Sequence, residues 1–188
     1  MKINGRLILF TLILVAMATA CKVFLGPNLD WSGFSPVIAI ALFSGMIIRQ
    51  KDSSFLLPLL ALFISDATIE VLYNQGLFPY AGFYNSQWRN YAILLLCTLI
   101  GWALKGKNYR SLFAGAMAAP TAFFLVSNFN VWITGEVVYG KDFNGLMTCY
   151  TAALPFYKNA LIATLLFLPV ILFTYNYLAK KRTKLVLA

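Results

Sequence analysis

The chain has 188 residues, of which 61% are hydrophobic and 11% are charged. This composition excludes an ordinary soluble domain, in which about a quarter of the residues are charged. The sequence contains no histidine, which excludes a histidine-ligated zinc or haem site and a Ser-His-Asp triad. The net charge of +9 does not indicate nucleic acid, because most of the basic residues lie on one side of the predicted membrane helices.

Six apolar blocks are predicted as transmembrane helices of an all-α membrane protein, although the second and fourth of them are short for a bilayer. The first block also resembles a signal peptide with a cleavage box at "ATAC", but its apolar residues continue to Leu25, so we predict a retained helix. No repeat or linker divides residues 1–188, which predicts one domain. The predicted spans are 7–25, 34–48, 55–73, 91–104, 111–127 and 160–179.

The basic residues predict the orientation of these spans. When the N-terminus is placed in the cytoplasm, all of the 15 lysines and arginines except Lys22, Arg89, Lys141 and Lys158 lie on the inner side. An excess of basic residues on one side is typical of cytoplasmic loops. We therefore expect both termini in the cytoplasm and a multi-pass location in the bacterial inner membrane.

The outer connections are long and rich in aromatic residues, whereas Tyr109 is the only aromatic residue of the two inner loops. Segment 128–157 is too long for a plain connection. It predicts a short interfacial or re-entrant helix around "GLMTCYTAALPFY", with Pro155 at the entry to the sixth span. Pro120 and Pro169 are predicted to kink the fifth and sixth spans.

The stretch "LFISDATIEVLY" places Asp66 and Glu70 one helical turn apart inside the third apolar block. A carboxylate at the centre of a membrane helix costs about 2.5–3.5 kcal/mol on insertion scales, so its presence indicates function or a specific partner. Asp66, Glu70 and Tyr73 share one helical face. The fifth span ends in "SNFNVW" and the sixth begins near "PFYKN", so three helices are predicted to bring polar groups together at the outer side.

Two interpretations of this cluster stay open. In one, Asp66 pairs with Lys158, or bonds Asn128 or Asn159, and only ties helices together. In the other, the cluster binds a solute with a flat, partly apolar body, on which Trp132 and Tyr150 stack, under a cap formed by segment 128–157. The candidate binding residues are Asp66, Glu70, Tyr73, Asn128, Asn130, Trp132, Tyr150, Lys158 and Asn159.

The first predicted helix carries a pair of small residues, Ala16 and Ala20, at a spacing that lets another helix approach closely. The neighbouring helix can belong to this bundle or to a partner protein. Two of the three cysteines, Cys21 and Cys97, lie inside predicted spans, and Cys149 lies in an outer segment.

The stretches "SPVIAIALFSGMIIR", "LPLLALFISDATIE", "SNFNVW" and "GLMTCYTAALPFYKN" resemble an uncharacterised bacterial integral-membrane family. More remotely, the architecture is similar to the substrate-binding (S) components of energy-coupling-factor vitamin transporters. That resemblance implies an S-component-like bundle with an outward-facing pocket, and a transmembrane coupling subunit with ATPases that docks at Ala16 and Ala20. It also implies Cys149 as the cobalt ligand if the solute is a corrinoid.

We therefore expect a protein that binds and takes up a vitamin or cofactor precursor, with no enzymatic activity, no bound cofactor or metal and no nucleic-acid partner. We expect membrane lipid to surround the protein and the small-molecule solute to be its ligand. A non-catalytic structural or accessory subunit of a membrane complex is the alternative. An enzyme that uses Asp66 and Glu70 as an acid–base pair or as metal ligands is a third.

Overall fold

The computed structural model describes residues 5–48, 50–104, 108–135 and 139–179 of the chain. Within these ranges the protein contains α-helices and one short 3-10 helix, Leu29–Trp31, and no strand. The all-α prediction is confirmed for this part of the chain. The α-helices are α1 Gly5–Leu25, α2 Val37–Ile47, α3 Lys51–Asn74, α4 Gln87–Leu104, α5 Tyr109–Thr134 and α6 Phe143–Ala179.

Four of the helices, α1, α3, α5 and α6, are long and apolar enough to cross a membrane. These helices indicate a membrane protein. Helix α2 is also apolar but has only 11 residues, and at 1.5 Å per residue it rises about 16 Å, roughly half of the hydrocarbon thickness.

Helix α2 forms the centre of the bundle rather than one of its outer walls. Every residue from Val37 to Met46 is buried, and the helix packs against α3, α4, α5 and α6. A helix that is apolar on all sides is stable when neighbours cover its whole circumference. The short second block is therefore apolar because it lies in the core.

Glycines allow α2 and α4 to approach each other closely. A Cβ atom added at Gly45 would overlap the carbonyl oxygen of Thr98, and one added at Gly101 would overlap the carbonyl oxygen of Leu42. Since any other residue carries a Cβ, only glycine allows this backbone contact. The contact is possible because the two glycines face each other.

The arrangement of α1 and α6 brings the two described ends of the chain to the same end of the bundle. The ring of Phe10 lies 5.5 Å from that of Tyr175 and 5.5 Å from that of Phe43. At the opposite end, Lys22 near the end of α1 contacts Asp66 in the second half of α3. We call this opposite end the site end.

Helix α6 corrects the prediction for segment 128–157. Helix α5 continues to Thr134, and α6 is continuous for 37 residues from Phe143. The stretch "GLMTCYTAALPFY" is thus the first part of α6, and the prediction of a separate interfacial helix was wrong. Residues 136–138 of this segment lie outside the described part of the chain.

Pro155 does not mark the entry to α6, because it lies inside the helix together with Pro169. An internal proline costs a helix about 3 kcal/mol. Contacts with α5 on both sides of Pro155 offset this cost: the Tyr150 hydroxyl donates to the Leu125 carbonyl at 2.8 Å, and the ring of Tyr157 stacks on Phe124 at 4.7 Å. Sequence patterns around a proline do not show such packing.

Candidate functional site

A cavity of about 630 Å³ lies at the site end of the bundle. All six α-helices contribute side chains to its wall, as do the connections 26–36 and 75–86. Small-molecule sites in proteins have volumes of roughly 300–1,000 Å³. The cavity therefore has the size of a binding site for a small organic molecule.

Asp66 is the central polar residue of the cavity wall, and its side chain is fully buried. One carboxylate oxygen forms an ion pair with the Lys22 ammonium group. The other oxygen accepts hydrogen bonds from the Gln87 amide and, at 2.6 Å, from the Tyr91 hydroxyl. These three donors offset the desolvation of the carboxylate.

The partner of Asp66 differs from each partner that the sequence suggested. The charged partner is Lys22 of α1, and the hydrogen-bond donors come from the start of α4. The sequence had suggested Lys158, Asn128 or Asn159. Helix α3 packs against α1 and α4, which explains why its buried acid faces those helices rather than α6.

Glu70 binds the connection 75–86 and is not part of the cavity wall. Its carboxylate accepts hydrogen bonds from the backbone amides of Gly82 at 2.9 Å and Phe83 at 3.0 Å. A Cβ atom at Gly82 would overlap the backbone carbonyl of Asp66, so the connection lies directly on α3. Tyr73 is exposed and is not among the residues that line the cavity.

Asn159 forms hydrogen bonds with the other connection, 26–36. The side chain is buried and donates to the carbonyl oxygens of Asp30 at 2.7 Å and Ser32 at 2.9 Å. The next residue of this connection, Gly33, has a positive φ of 85°, a conformation that favours glycine. The neighbouring Lys158 is exposed and does not line the cavity.

The predicted site residues of α5 and the start of α6 occupy different positions. Asn128 lines the cavity and donates to the Phe124 carbonyl at 2.8 Å. Trp132 donates to the Gly140 carbonyl at 2.9 Å and, like Tyr150 and Asn130, is not among the lining residues. Of the nine predicted residues, the structure thus places Asp66 and Asn128 in the cavity wall.

Aromatic residues that the sequence did not single out form much of the wall. They include the ring pairs Phe124–Tyr157 and Trp31–Phe34, the latter at 5.5 Å, and also Tyr80 and Tyr84 of the connection 75–86. Burial raises the pKa of the Tyr80 phenol above its ordinary value, so the phenol is neutral at physiological pH. The cavity therefore offers flat, uncharged surfaces.

Lys22 is the most informative residue that the sequence reasoning missed, because it was counted only as an outer basic residue. A lysine inside an apolar helix needs a counter-ion, just as Asp66 does. The available signal was the single basic residue of the first apolar block, Lys22, together with the acidic residues of the third. Gln87 carried no comparable signal, since its role depends on where α4 begins.

Ala16 and Ala20 are both exposed, whereas Ala18 between them is buried. The two small residues thus lie on the outer face of α1 and do not pack inside the bundle. Cys149 is buried, its thiol approaches the Asn128 carbonyl at 3.5 Å, and it is not among the lining residues. The described residues contain no group of three or more potential metal ligands.

Fold and site together define a helical membrane protein whose cavity is lined by the six α-helices of the described ranges and by the connections 26–36 and 75–86. The chain belongs to a family of unknown function, DUF6580, whose family model matches residues 1–186. This membership confirms the resemblance to an uncharacterised family. No curated protein and no solved structure matches the chain.

Proposed function

We propose that the protein binds a small, flat organic solute of the vitamin or cofactor-precursor type and mediates its uptake across the bacterial cytoplasmic membrane. The observation that supports this most is the cavity of about 630 Å³, which combines aromatic walls with a polar cluster at Asp66. Sites for organic ligands are typically apolar, with a few polar groups that fix orientation.

The proposal includes an S-component-like bundle of six spans with both termini in the cytoplasm. In this orientation the site end faces outward, and the basic residues beside the chain ends face the cytoplasm. Helix α2 then lies inside the protein and need not reach both bilayer surfaces. A coupling subunit with its ATPases would dock on α1, where Ala16 and Ala20 are exposed.

The arrangement of the two acids supports binding rather than catalysis. Asp66 is engaged by three side-chain donors, whereas Glu70 holds backbone amides of the connection 75–86. An acid–base pair needs both groups within reach of one reacting molecule. A corrinoid is not part of the proposal, because Cys149 is buried between Asn128 and its own helix rather than in the cavity wall.

The uptake proposal is tested by comparing two matched tryptophan substitutions in neighbouring residues of α5. Ser127 lines the cavity, whereas Val126 is 40% exposed and is not among the lining residues. Cells producing wild-type protein or the V126W variant should deplete at least one compound from a defined medium faster than cells producing S127W. Untargeted mass spectrometry of the medium measures this.

Equal depletion by wild-type and S127W cells, at equal protein levels in the membrane, would contradict uptake through the cavity. A stoichiometric protein partner without ATPase activity, copurifying from native membranes, would then favour the role of an accessory subunit.

A further inference from the structure

The Lys22–Asp66 pair also indicates which class of solute the cavity binds. Asp66 is fully buried, and within the described residues its carboxylate accepts hydrogen bonds from Lys22, Gln87 and Tyr91. Lys22 differs, because its side chain is 28% exposed and lines the cavity. In this pair, the lysine is the partner that a bound molecule can reach.

Lys22 has donors left for such a molecule. A lysine ammonium group carries three N–H donors and accepts no hydrogen bond. One of them is donated to Asp66, and within the described ranges no second acceptor contacts Lys22. A solute that places an acceptor atom beside Lys22 would therefore satisfy donors that the described residues leave unused.

The charge of the cavity wall restricts the solute further. Lys22 and Asp66 are the charged residues among the described lining residues, and they neutralise each other. A charged solute would leave one uncompensated charge beside a mostly apolar wall, which is costly. An uncharged solute leaves the wall neutral.

The aromatic pairs of the wall favour a ring system as the body of the solute. The stacked rings of Phe124 and Tyr157 lie on the side of α5 and α6, and Trp31 and Phe34 lie on the connection 26–36. Aromatic faces interact best with flat partners in offset or edge-on contact.

We infer that the solute is an uncharged heteroaromatic molecule whose carbonyl or ring-nitrogen acceptor binds the Lys22 ammonium group, with Asp66 as a positioning residue for that lysine. This inference rests on the proposed binding function and assigns the chemistry of the same cavity. Asp66 holds Lys22 in place and balances its charge, and it does not contact the solute itself.

The inference is tested with three matched ring compounds and the full-length protein in nanodiscs. The probes are quinolin-2-one, which is uncharged and has a carbonyl acceptor, quinoline-2-carboxylate, which is an anion, and quinolin-2-ylmethylammonium, which is a cation. Binding is measured by ligand-induced change in the thermal midpoint and by titration. Wild-type protein should bind quinolin-2-one more tightly than either charged probe.

Variants of the Lys22–Asp66 pair are tested for their preference among the three probes, which would not change if the pair had only a structural role. D66N leaves Lys22 without its counter-ion and should shift the preference toward the carboxylate, whereas K22M leaves Asp66 alone and should shift it toward the ammonium probe. K22M/D66N carries neither charge and should fold, because no lone charge remains. It should keep the preference for the uncharged probe with roughly tenfold to hundredfold weaker affinity, the size of one lost hydrogen bond to a charged group.

The possible failures are distinguishable. If wild-type protein binds a charged probe in preference to quinolin-2-one, or if K22M/D66N binds quinolin-2-one as tightly as wild type does, this inference is overturned while the cavity remains a binding site. If wild-type protein binds none of the three probes, the inference is overturned and the proposed binding function loses its support.

Discussion

At the scale of single residues, the best-defined feature is the buried carboxylate of Asp66 and its ion pair with Lys22. Removing one partner of a buried ion pair is more costly than removing both, because the remaining charge stays desolvated. Asp66 is fully buried, so its carboxylate would remain desolvated and without a counter-ion if Lys22 were replaced.

We expect K22M and D66N each to lower the free energy of unfolding by about 3–5 kcal/mol. The double variant K22M/D66N should lose less than the sum of the two single losses, because it leaves no uncompensated charge. Denaturation of the purified protein in mixed detergent measures all three. Additive losses would show that the two side chains do not interact in the folded protein.

The carboxylate of Glu70 has a different role, since it accepts two backbone hydrogen bonds from the connection 75–86. We expect E70A to increase amide hydrogen exchange at Gly82 and Phe83, and E70Q to do so less, because its side-chain oxygen still accepts hydrogen bonds. Hydrogen exchange followed by mass spectrometry measures this. Unchanged exchange in E70A would mean that other contacts hold the connection.

The role of each of these residues was predictable only where it did not depend on a contact with a residue far away in the chain. That Asp66 needs a partner followed from its place in an apolar block. The identity of that partner could not be predicted, because Lys22 lies 44 residues away and contacts Asp66 only after α1 and α3 pack together. Likewise, the predicted roles of Trp132 and Tyr150 assumed that segment 128–157 caps the cavity, whereas α5 and α6 continue as helices into this segment.

At the scale of helices, each apolar block overlaps one helix, because a membrane helix needs a long apolar stretch. The blocks did not give the ends of the helices, since α6 begins at Phe143, 17 residues before the block at 160. They were not sufficient to show that the second block, which forms α2, is the core. That result depends on neighbours covering α2 on all sides, and on the close contact of Gly45 with Gly101. The residue pattern of one helix cannot reveal a contact between two helices.

We expect G45A and G101A each to destabilise the protein by about 1–3 kcal/mol, the usual cost of overpacking, because the new methyl group would push α2 and α4 apart. Gly5 is the matched control: a Cβ atom there meets nothing within 4 Å, so G5A should leave stability unchanged or slightly raised. The thermal midpoint of each purified variant measures the effect. Midpoints of G45A and G101A equal to that of G5A would show that α2 and α4 are not in close contact.

At the scale of the whole molecule, the proposed orientation places the site end outside the cell. Asn85 is exposed in the connection 75–86 at this end, and Asp52 is exposed at the start of α3. In a protein whose Cys21, Cys97 and Cys149 are replaced by alanine, a membrane-impermeant maleimide should label N85C in intact cells. It should label D52C only after the membrane is permeabilised.

Labelling of D52C, but not N85C, in intact cells would reverse the orientation and place the cavity on the cytoplasmic side. Labelling of both in intact cells would contradict the proposal that α3 spans the membrane. These outcomes matter for function, because uptake through this cavity requires that the solute first meets the site end.

The central claim, that the cavity holds a small solute, is tested most directly by native mass spectrometry of the protein released from its own membranes. We expect wild-type protein and V126W to carry one bound molecule of the same mass per chain, and S127W, with its tryptophan in the cavity, to carry none. A folded wild-type protein without bound mass, in preparations in which added quinolin-2-one also fails to bind, would contradict the claim. So would an equal bound mass on S127W.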